Sequence, residues 1–280
     1  MPGTLYLVGT PIGNLEDITL RAIRVLGEVD VIAAEDTRET QKLLARYEIH
    51  TPLLSYHEHS GPRRREEIIA LLREGKDVAL VSDAGMPGIS DPGAELVRDC
   101  VAAGILVTAV PGPTAVATAL ALSGFFAQEY LFLGFLPARP GPRRAALQRA
   151  TNRPGSLVCF EAPHRLIESL SDMREVLGDR PVVCARELTK KFEEVARGTL
   201  SELIAHFTEH APRGEMTVVV TQVPRPAAKK QAGDLTAGVA EAKELIAAGM
   251  ATSRAVAHVA KWRSLSRRAL YQAILEGGND

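Results

Sequence analysis

The chain has 280 residues, 46% apolar and 24% charged, with 33 Lys plus Arg against 34 Asp plus Glu. That length suits about two domains, and that composition excludes disorder for the bulk of the chain, because there is ample apolar surface to bury. A net charge of −1 gives no overall field that would draw in nucleic acid or membrane. No run approaches the roughly 18 apolar residues of a membrane span. The start, Met1-Pro2-Gly3-Thr4, has no basic n-region, so no secretory signal is expected.

In chain order, Leu5-Tyr6-Leu7-Val8 reads as a short apolar strand ending in Gly9-Thr10-Pro11-Ile12-Gly13-Asn14. Leu20, Ile23 and Leu26 follow helical spacing, Val29 to Ala33 is a strand, and a helix runs from about Thr37 to Tyr47. Thr51 to Ser55 is extended, Arg65 to Arg73 helical, Val78 to Val81 a buried strand, Glu95 to Ala102 helical, and Ile105 to Val110 a strand. Apolar strands separated by helices of this length indicate right-handed crossovers and a parallel sheet. Residues 1–112 therefore read as one α/β domain. The helix after Pro113 is apolar all round, Ala115 to Leu122, which predicts burial between domains. A second α/β domain, 113–223, takes strands at 130–135, 157–160, 181–185 and 216–221, with helices at 142–150, 164–177 and 199–208. The expected class is α/β: two α/β/α domains with mainly parallel sheets. Residues 224–234 read as a linker by composition, and 235–280 as a small helical tail.

Cys100, Cys159 and Cys184 are odd in number and far apart. They fit neither a disulfide framework nor a zinc ribbon, so a reduced cytoplasm is the simplest location. The charge is segregated. Arg139, Arg143, Arg144, Arg149 and Arg153 lie in 136–154 without an acid, and Arg254, Lys261, Arg263, Arg267 and Arg268 lie in 250–275 without one. Two solvated helix faces would explain these runs, and so would two arms of a polyanion site. In the tail, Ser253 and Ser266 are placed to cap two short helices, a pattern like a helix-turn-helix or a small helical dimerisation piece.

Three strand ends carry dense turn signals: Gly9 to Asn14, Ser82 to Gly93, and Pro111 to Thr114. Ligands of open parallel sheets bind at the carboxyl ends of strands, and glycine lets backbone approach a ligand closely. No G-x-x-x-x-G-K-[ST] and no G-x-G-x-x-G follows the first strand, which argues against a nucleotide triphosphatase and a dinucleotide site. Asp83 and Asp91 would repel a phosphate, so a cationic ligand without phosphate suits these loops. Glu35-Asp36-Thr37-Arg38 reads first as a helix cap. His57 and His59 alone are too few for zinc, and no metal is expected. Phe160 to Arg165, Arg186 to Lys191 and Gly214-Glu215 place polar side chains at element ends, where either a site or structural ion pairs would put them.

Thr10-Pro11-Ile12-Gly13-Asn14-Leu15, Ala34-Glu35-Asp36-Thr37-Arg38, Ser82-Asp83-Ala84-Gly85, Asp91-Pro92-Gly93, Pro111-Gly112-Pro113-Thr114, Gly134-Phe135-Leu136-Pro137, Pro163-His164-Arg165 and Ala185-Arg186-Glu187-Leu188-Thr189-Lys190 occur in this order. In these motifs the chain resembles the bacterial ribosomal RNA small subunit methyltransferase I family, (cytidine-2'-O-)-methyltransferases of the tetrapyrrole-methylase-like class. The resemblance covers the first strand to about residue 222, and the tail more loosely. It implies two α/β domains with S-adenosylmethionine in the cleft between them, a homodimer, and a cytidine ribose 2'-hydroxyl of small-subunit ribosomal RNA, in an assembled 30S subunit, as acceptor. By motif, Pro11, Gly13, Asp83, Gly85, Met86, Thr114, Ala115 and Phe160 are expected at the donor. Asn14 stands where related small-molecule methylases carry an acid, which weighs against a tetrapyrrole mechanism.

A ribose hydroxyl is a weak nucleophile until it loses its proton. Glu187, Glu161 and Lys190 are the candidate bases, Lys190 only if desolvation lowers its pKa. Asn14, Arg38, Arg139, Arg143, Arg144, His164, Arg165, Arg186 and Arg267 are the candidate substrate contacts, with Arg263 and Arg268 beside them. A small-molecule methyltransferase and a non-enzymatic RNA-binding factor are the rival readings.

Overall fold

The computed structural model describes residues 1–125, 128–151, 153, 155–223, 235–263 and 265–276. Residues 1–223 form one compact unit and 224–280 a second. The linker expected at 224–234 lies outside the described residues.

The first sheet is built from β1 (Thr4–Val8), β2 (Val31–Ala34), β3 (Leu53–Ser55), β4 (Val78–Val81) and β5 (Leu106–Val110). Its order is β3-β2-β4-β1-β5, and every pairing is parallel. Helices α1 (Leu20–Glu28), α2 (Thr37–Arg46), α3 (Pro62–Arg73) and α4 (Ala94–Ala102) make the crossovers. Successive strand residues point to opposite faces, and the core splits accordingly. Ile32, Ala34, Ala79 and Val81 pack on one face, while Ala33, Val78 and Leu80 pack on the other. Asp36 is the N-cap of α2, as expected, accepting from the Arg38 backbone N–H at 2.8 Å.

Helix α5 (Ala115–Ser123) leads to the second sheet, whose strands are β6 (Tyr130–Phe135), β7 (Gly155–Glu161), β8 (Pro181–Arg186), β9 (Glu194–Thr199) and β10 (Met216–Val223). The order is β6-β7-β10-β8-β9. The α/β class holds, but here the expectation of a mainly parallel sheet is corrected. Only β6 and β7 run parallel; β7–β10, β10–β8 and β8–β9 are antiparallel. The loop from β8 to β9 is too short for a crossover helix, and such a connection returns antiparallel. Helices α6 (Pro140–Ala150), α7 (Leu166–Leu177) and α8 (Leu200–Glu209) cover one face, where Leu157, Cys159, Val218 and Val220 point. Val158, Ala185 and Val219 point to the other face and meet Val116, Ala119 and Leu120 of α5. Although apolar all round, α5 buries one side and leaves Leu122 36% exposed, because one sheet covers it rather than two.

The second unit packs α9 (Leu235–Ala247), α10 (Thr252–Trp262) and α11 (Arg267–Glu276) around Ala242, Val256, Val259 and Leu270. Gly238 lets α9 approach closely, since a Cβ there would lie 2.3 Å from Leu265 Cδ1. The Ser266 Oγ accepts from the Ala269 N–H at 3.4 Å, as a cap should. Ser253 does not cap α10; its N-cap is Ala251, without a side-chain bond.

Candidate active site

The three turn-rich strand ends belong to β4, β1 and β5, which are adjacent in the first sheet. Here the chain order reverses around β1, the place where open α/β sheets bind ligands. Backbone bonds lock two of these ends together: Thr10 N–H donates to Gly85 O at 2.9 Å and Gly85 N–H to Thr10 O at 3.1 Å. Gly85 has φ of 85°, which a side chain would strain. A Cβ on Gly9 would sit 2.8 Å from Gly112 Cα and from Met86 Sδ, so the first and third ends touch only as glycines. Thr114 then caps α5 by accepting from Ala117 N–H at 3.3 Å, a bond of the kind worth about 1 kcal/mol.

Opposite these loops stand the ends of β6, β7, β8 and β10. Together they enclose a cavity of about 750 Å³, well within the range of small-molecule sites. Gly85, Met86, Thr114, Ala115 and Phe160, expected at the donor, line it. Pro11 is buried, Gly13 packs against the β8–β9 loop, and Asp83 is exposed and accepts from Asp36 N–H, and none of these three is among the lining residues. Sequence reasoning missed Phe132, Phe135, Ala185, Leu188, Met216 and Thr217, which also line it. Phe135, Ala185 and Leu188 fall inside the family motifs quoted above, whereas Phe132, Met216 and Thr217 carry no local signal beyond lying in a strand.

The wall carries three carboxylates, Asp91, Glu161 and Glu215, and among the described residues no Lys, Arg or His. Burial, and then the charge of Asp83, push the Asp91 carboxyl up, against a hydrogen bond from Ser82. Burial also raises Asp83, which accepts from Asp36 N–H at 2.9 Å, and Glu35, which feels Asp91. This corner is short of positive charge.

Glu161 is buried and fully engaged. Its carboxylate accepts from Ala162 N–H at 2.9 Å and Ser169 Oγ at 2.5 Å, and pairs with Arg165 at 2.9 Å. It therefore anchors the turn Pro163–Arg165 rather than standing free as a base. Glu187 and Lys190 lie beside the cavity on the β8–β9 loop. Glu187 sits at φ 47° and Thr189 at φ 65°, unusual for side-chain residues. The Glu187 carboxylate accepts from Glu215 N–H at 2.9 Å, and Lys190 Nζ reaches Glu187 at 3.1 Å and Glu215 at 2.9 Å. The Glu215 N–H, with Lys190 adding to it, holds Glu187 below its ordinary pKa. For Lys190, burial pulls downward, but the bonds to Glu215 and Glu187 outweigh it and raise the pKa. The expectation that desolvation frees Lys190 as a base is thereby corrected: it remains an ammonium. Asn14 N–H donates to Thr189 Oγ1 at 3.0 Å, and a Cβ on Gly13 would lie 2.5 Å from Lys190 Cγ, so the β1 loop clamps this loop.

The expected phosphate contacts divide. Arg143 is corrected outright. It is 1% exposed, with Nε 2.6 Å from Asp172 and Nη1 donating to Ala138 O at 3.1 Å. Arg144 takes the other Asp172 oxygen at 2.6 Å and Glu175 at 2.9 Å. Arg38 forms a fork with Asp36, whose pKa it lowers strongly, and Arg186 pairs with Glu194 at 2.7 Å and donates to Arg213 O. Arg263 is tied to Glu241. Arg139, His164 and Arg267 are exposed, and Arg165 keeps a buried Nε without a partner. Arg267 and Arg268 share an open hollow with Tyr271 in the second unit.

A family model described as Tetrapyrrole (Corrin/Porphyrin) Methylases matches residues 4–204. The chain is 46% identical over 279 residues to "Ribosomal RNA small subunit methyltransferase I" of Synechocystis sp., an alignment covering 98% of each chain. The chain belongs to the tetrapyrrole methylase family, in its ribosomal RNA small subunit methyltransferase I branch. As a family member it is a methyltransferase. The branch relative from Bacillus subtilis is 45% identical over 97% of this chain and 94% of its own, and that from Thermotoga maritima 52% over 78% and 98%. Among solved members of the fold, a cobalt precorrin-4 methyltransferase superposes with TM-score 0.61 at 21% identity, covering 78% of this chain and 94% of its own. A uroporphyrin-III C-methyltransferase from Thermus thermophilus complexed with S-adenosyl homocysteine gives TM-score 0.56 at 21% identity, over 80% and 99%. Those two likenesses are of fold.

Proposed function

We propose that this chain transfers the methyl group of S-adenosylmethionine to the ribose 2'-hydroxyl of a cytidine in small-subunit ribosomal RNA. The observation that carries the reading is 46% identity across 98% of both chains with a protein of that branch. The cavity supports it: Asp91 on its wall, with Asp83 and Glu35 near it, makes an acidic corner, and among the described residues no cation lines the cavity, which disfavours phosphate and suits a sulfonium. When bound, the donor supplies a methyl group already activated by its sulfonium charge.

The chain's own residues do the positioning. Gly85, Met86, Thr114, Ala115 and Phe160 hold the donor, and Pro11, Gly13 and Asp83 shape their backbones from behind. Bringing the acceptor oxygen into line with the methyl carbon is where most of the acceleration arises. Glu161 fixes the Pro163–Arg165 turn at the cavity wall, and Glu187 with Lys190 braces Glu215 at its edge. These three act as positioning residues, and the proton of the acceptor hydroxyl leaves to solvent water. Asn14, Arg38, Arg139, His164, Arg165 and Arg186 remain as contacts to the acceptor strand, with Arg267 and Arg268 as a separate phosphate-binding face. The acceptor is read as the assembled 30S subunit, the working species as a homodimer, and the location as cytoplasmic.

The test is tritiated methyl transfer from S-adenosylmethionine to purified small subunits lacking the modification, beside protein-free RNA and a tetrapyrrole mixture. Label in subunit RNA that resists alkaline cleavage at one cytidine is the expected result. Label in the tetrapyrrole alone overturns the substrate, and no label with no donor binding overturns the reaction. Loss of turnover in Lys190→Ala that Lys190→Arg restores supports bracing, while full turnover in Lys190→Ala and Glu187→Gln removes both residues from the mechanism.

A further inference from the structure

Strand β6 breaks its own pattern where it borders the cavity. Phe132 pairs with Val158 of β7, yet Phe135 pairs with Phe160, so three steps along β6 match two along β7. In a regular strand, residues three apart point to opposite faces. The extra residue, with Gly134 at φ 63°, turns Phe135 back to the side of Phe132. Both rings then touch Phe160, with centroids at 5.0 and 5.4 Å, and all three rings line the cavity. Bulges are uncommon in parallel pairs and are found beside active sites, where they re-aim a side chain. What the bulge accomplishes here is not core packing, because Phe135 remains 60% exposed. Ile89 at 65% and Tyr130 at 51% are exposed on the same cavity wall. Phe160 and Phe132 form the inner part of this aromatic wall, and Phe135 forms its outer end.

We infer that Phe135 is the platform on which the base of the acceptor nucleotide stacks. This role rests on the RNA reading above and gives the acceptor a residue that holds it. A ribose hydroxyl can reach a methyl inside a cavity only if its nucleotide is splayed from its neighbours. Single-stranded RNA is held in that state by stacking on aromatic side chains. The surroundings suit a nucleotide better than an apolar partner. Four residues beyond Phe135, the exposed Arg139 opens α6, whose first turn has no acid, so the positive end of a helix follows the platform. His164 is exposed beside Pro163, which lines the same cavity.

Wild type, Phe135→Ala, Phe135→Leu and Phe135→Tyr are compared in methyl transfer to unmodified small subunits, and their Kd for S-adenosylmethionine is measured by calorimetry without RNA. Removing a stacking ring should lower kcat/KM for the subunit by roughly 5- to 150-fold in the Ala and Leu variants, mostly through KM. Phe135→Tyr keeps a ring on which a base can stack, so it should approach wild type. Donor Kd should not move in any variant. Phe135→Leu keeps apolar bulk and tests the ring if Phe135→Ala fails to fold. Wild-type kinetics in Phe135→Leu overturn the platform while leaving the methyltransferase reading intact. A donor Kd that weakens in step with kcat/KM also overturns it, by placing Phe135 at the donor. A wild-type enzyme that binds donor but labels no subunit RNA overturns the RNA reading and the platform with it.

Discussion

Residues 136–154 and 250–275 have the same charge composition, five cations and no acid each, and their adjacent arginine pairs, Arg143-Arg144 and Arg267-Arg268, have different fates. In the first, buried Arg143 and exposed Arg144 share Asp172 of α7, with Glu168 and Glu175 alongside. In the second, Arg267 and Arg268 face an open hollow, and among the described residues neither forms an ion pair. A run of like charge in sequence is thus no measure of the field it makes. What matters is whether a packed neighbour brings the opposite charge, and α7 does so for α6.

The largest effect that can break this contrast is at Asp172. Asp172→Ala strands a buried guanidinium, and urea unfolding should show a loss of about 3–5 kcal/mol. Replacing Arg143 and Asp172 together by Met and Leu should cost far less, since both charges leave; an equal cost would mean the pair is not the cause. Next comes the open face. Arg267→Glu with Arg268→Glu should flatten the dependence of log affinity for small-subunit RNA on log salt by about 1.4, at roughly 0.7 per phosphate contact. Its unfolding midpoint should stay put, and an unchanged slope would demote that face to solvated surface.

A smaller effect tests the third charged cluster. Glu187 is held below its ordinary value of 4.5, so its contribution to stability is in force above that pH and fades as pH falls through the folded value. Lys190 is held above 10.5, so its contribution is in force below that pH and fades as pH rises through the folded value. Lys190→Met should therefore destabilise by about 0.5–1 kcal/mol between roughly pH 5 and 10, and by nothing in strong acid, where its carboxylate partners are protonated, as read by thermal unfolding across pH. The smallest effect is expected at Asp91, whose raised pKa means that its charge opposes folding at neutral pH. Asp91→Asn should raise stability by about 0.5 kcal/mol at pH 7 while weakening the donor, and the gain should shrink as pH falls and the native carboxyl protonates.

Much of the site was legible in the sequence. Gly9–Asn14, Ser82–Gly93 and Pro111–Thr114 announce themselves because tight turns and close backbone approach demand glycine and proline, and they fall on three neighbouring strands. Strand β9 was not legible: Glu194-Val195-Ala196-Arg197-Gly198-Thr199 lies at a sheet edge and carries few apolar residues. The antiparallel second sheet also escaped, since strand direction depends on connection geometry rather than on strand composition. Phe135 was legible as part of the Gly134-Phe135-Leu136-Pro137 motif, but its direction was not, because a bulge is a relation to the partner strand.

From the residues alone followed the α/β class, the order of strands and helices apart from β9, the turn-rich strand ends and the family. All of these rest on local periodicity, turn chemistry and ordered motifs. Tertiary structure alone decided which charges are spent and which are available. Arg143 meets Asp172 across 29 positions of chain, Lys190 is held charged by two carboxylates from different elements, and Phe135 is aimed by its register with β7. A side chain's charge, exposure and direction depend on neighbours that only packing brings within a few ångströms, where Coulombic and hydrogen-bond energies become large enough to choose among them.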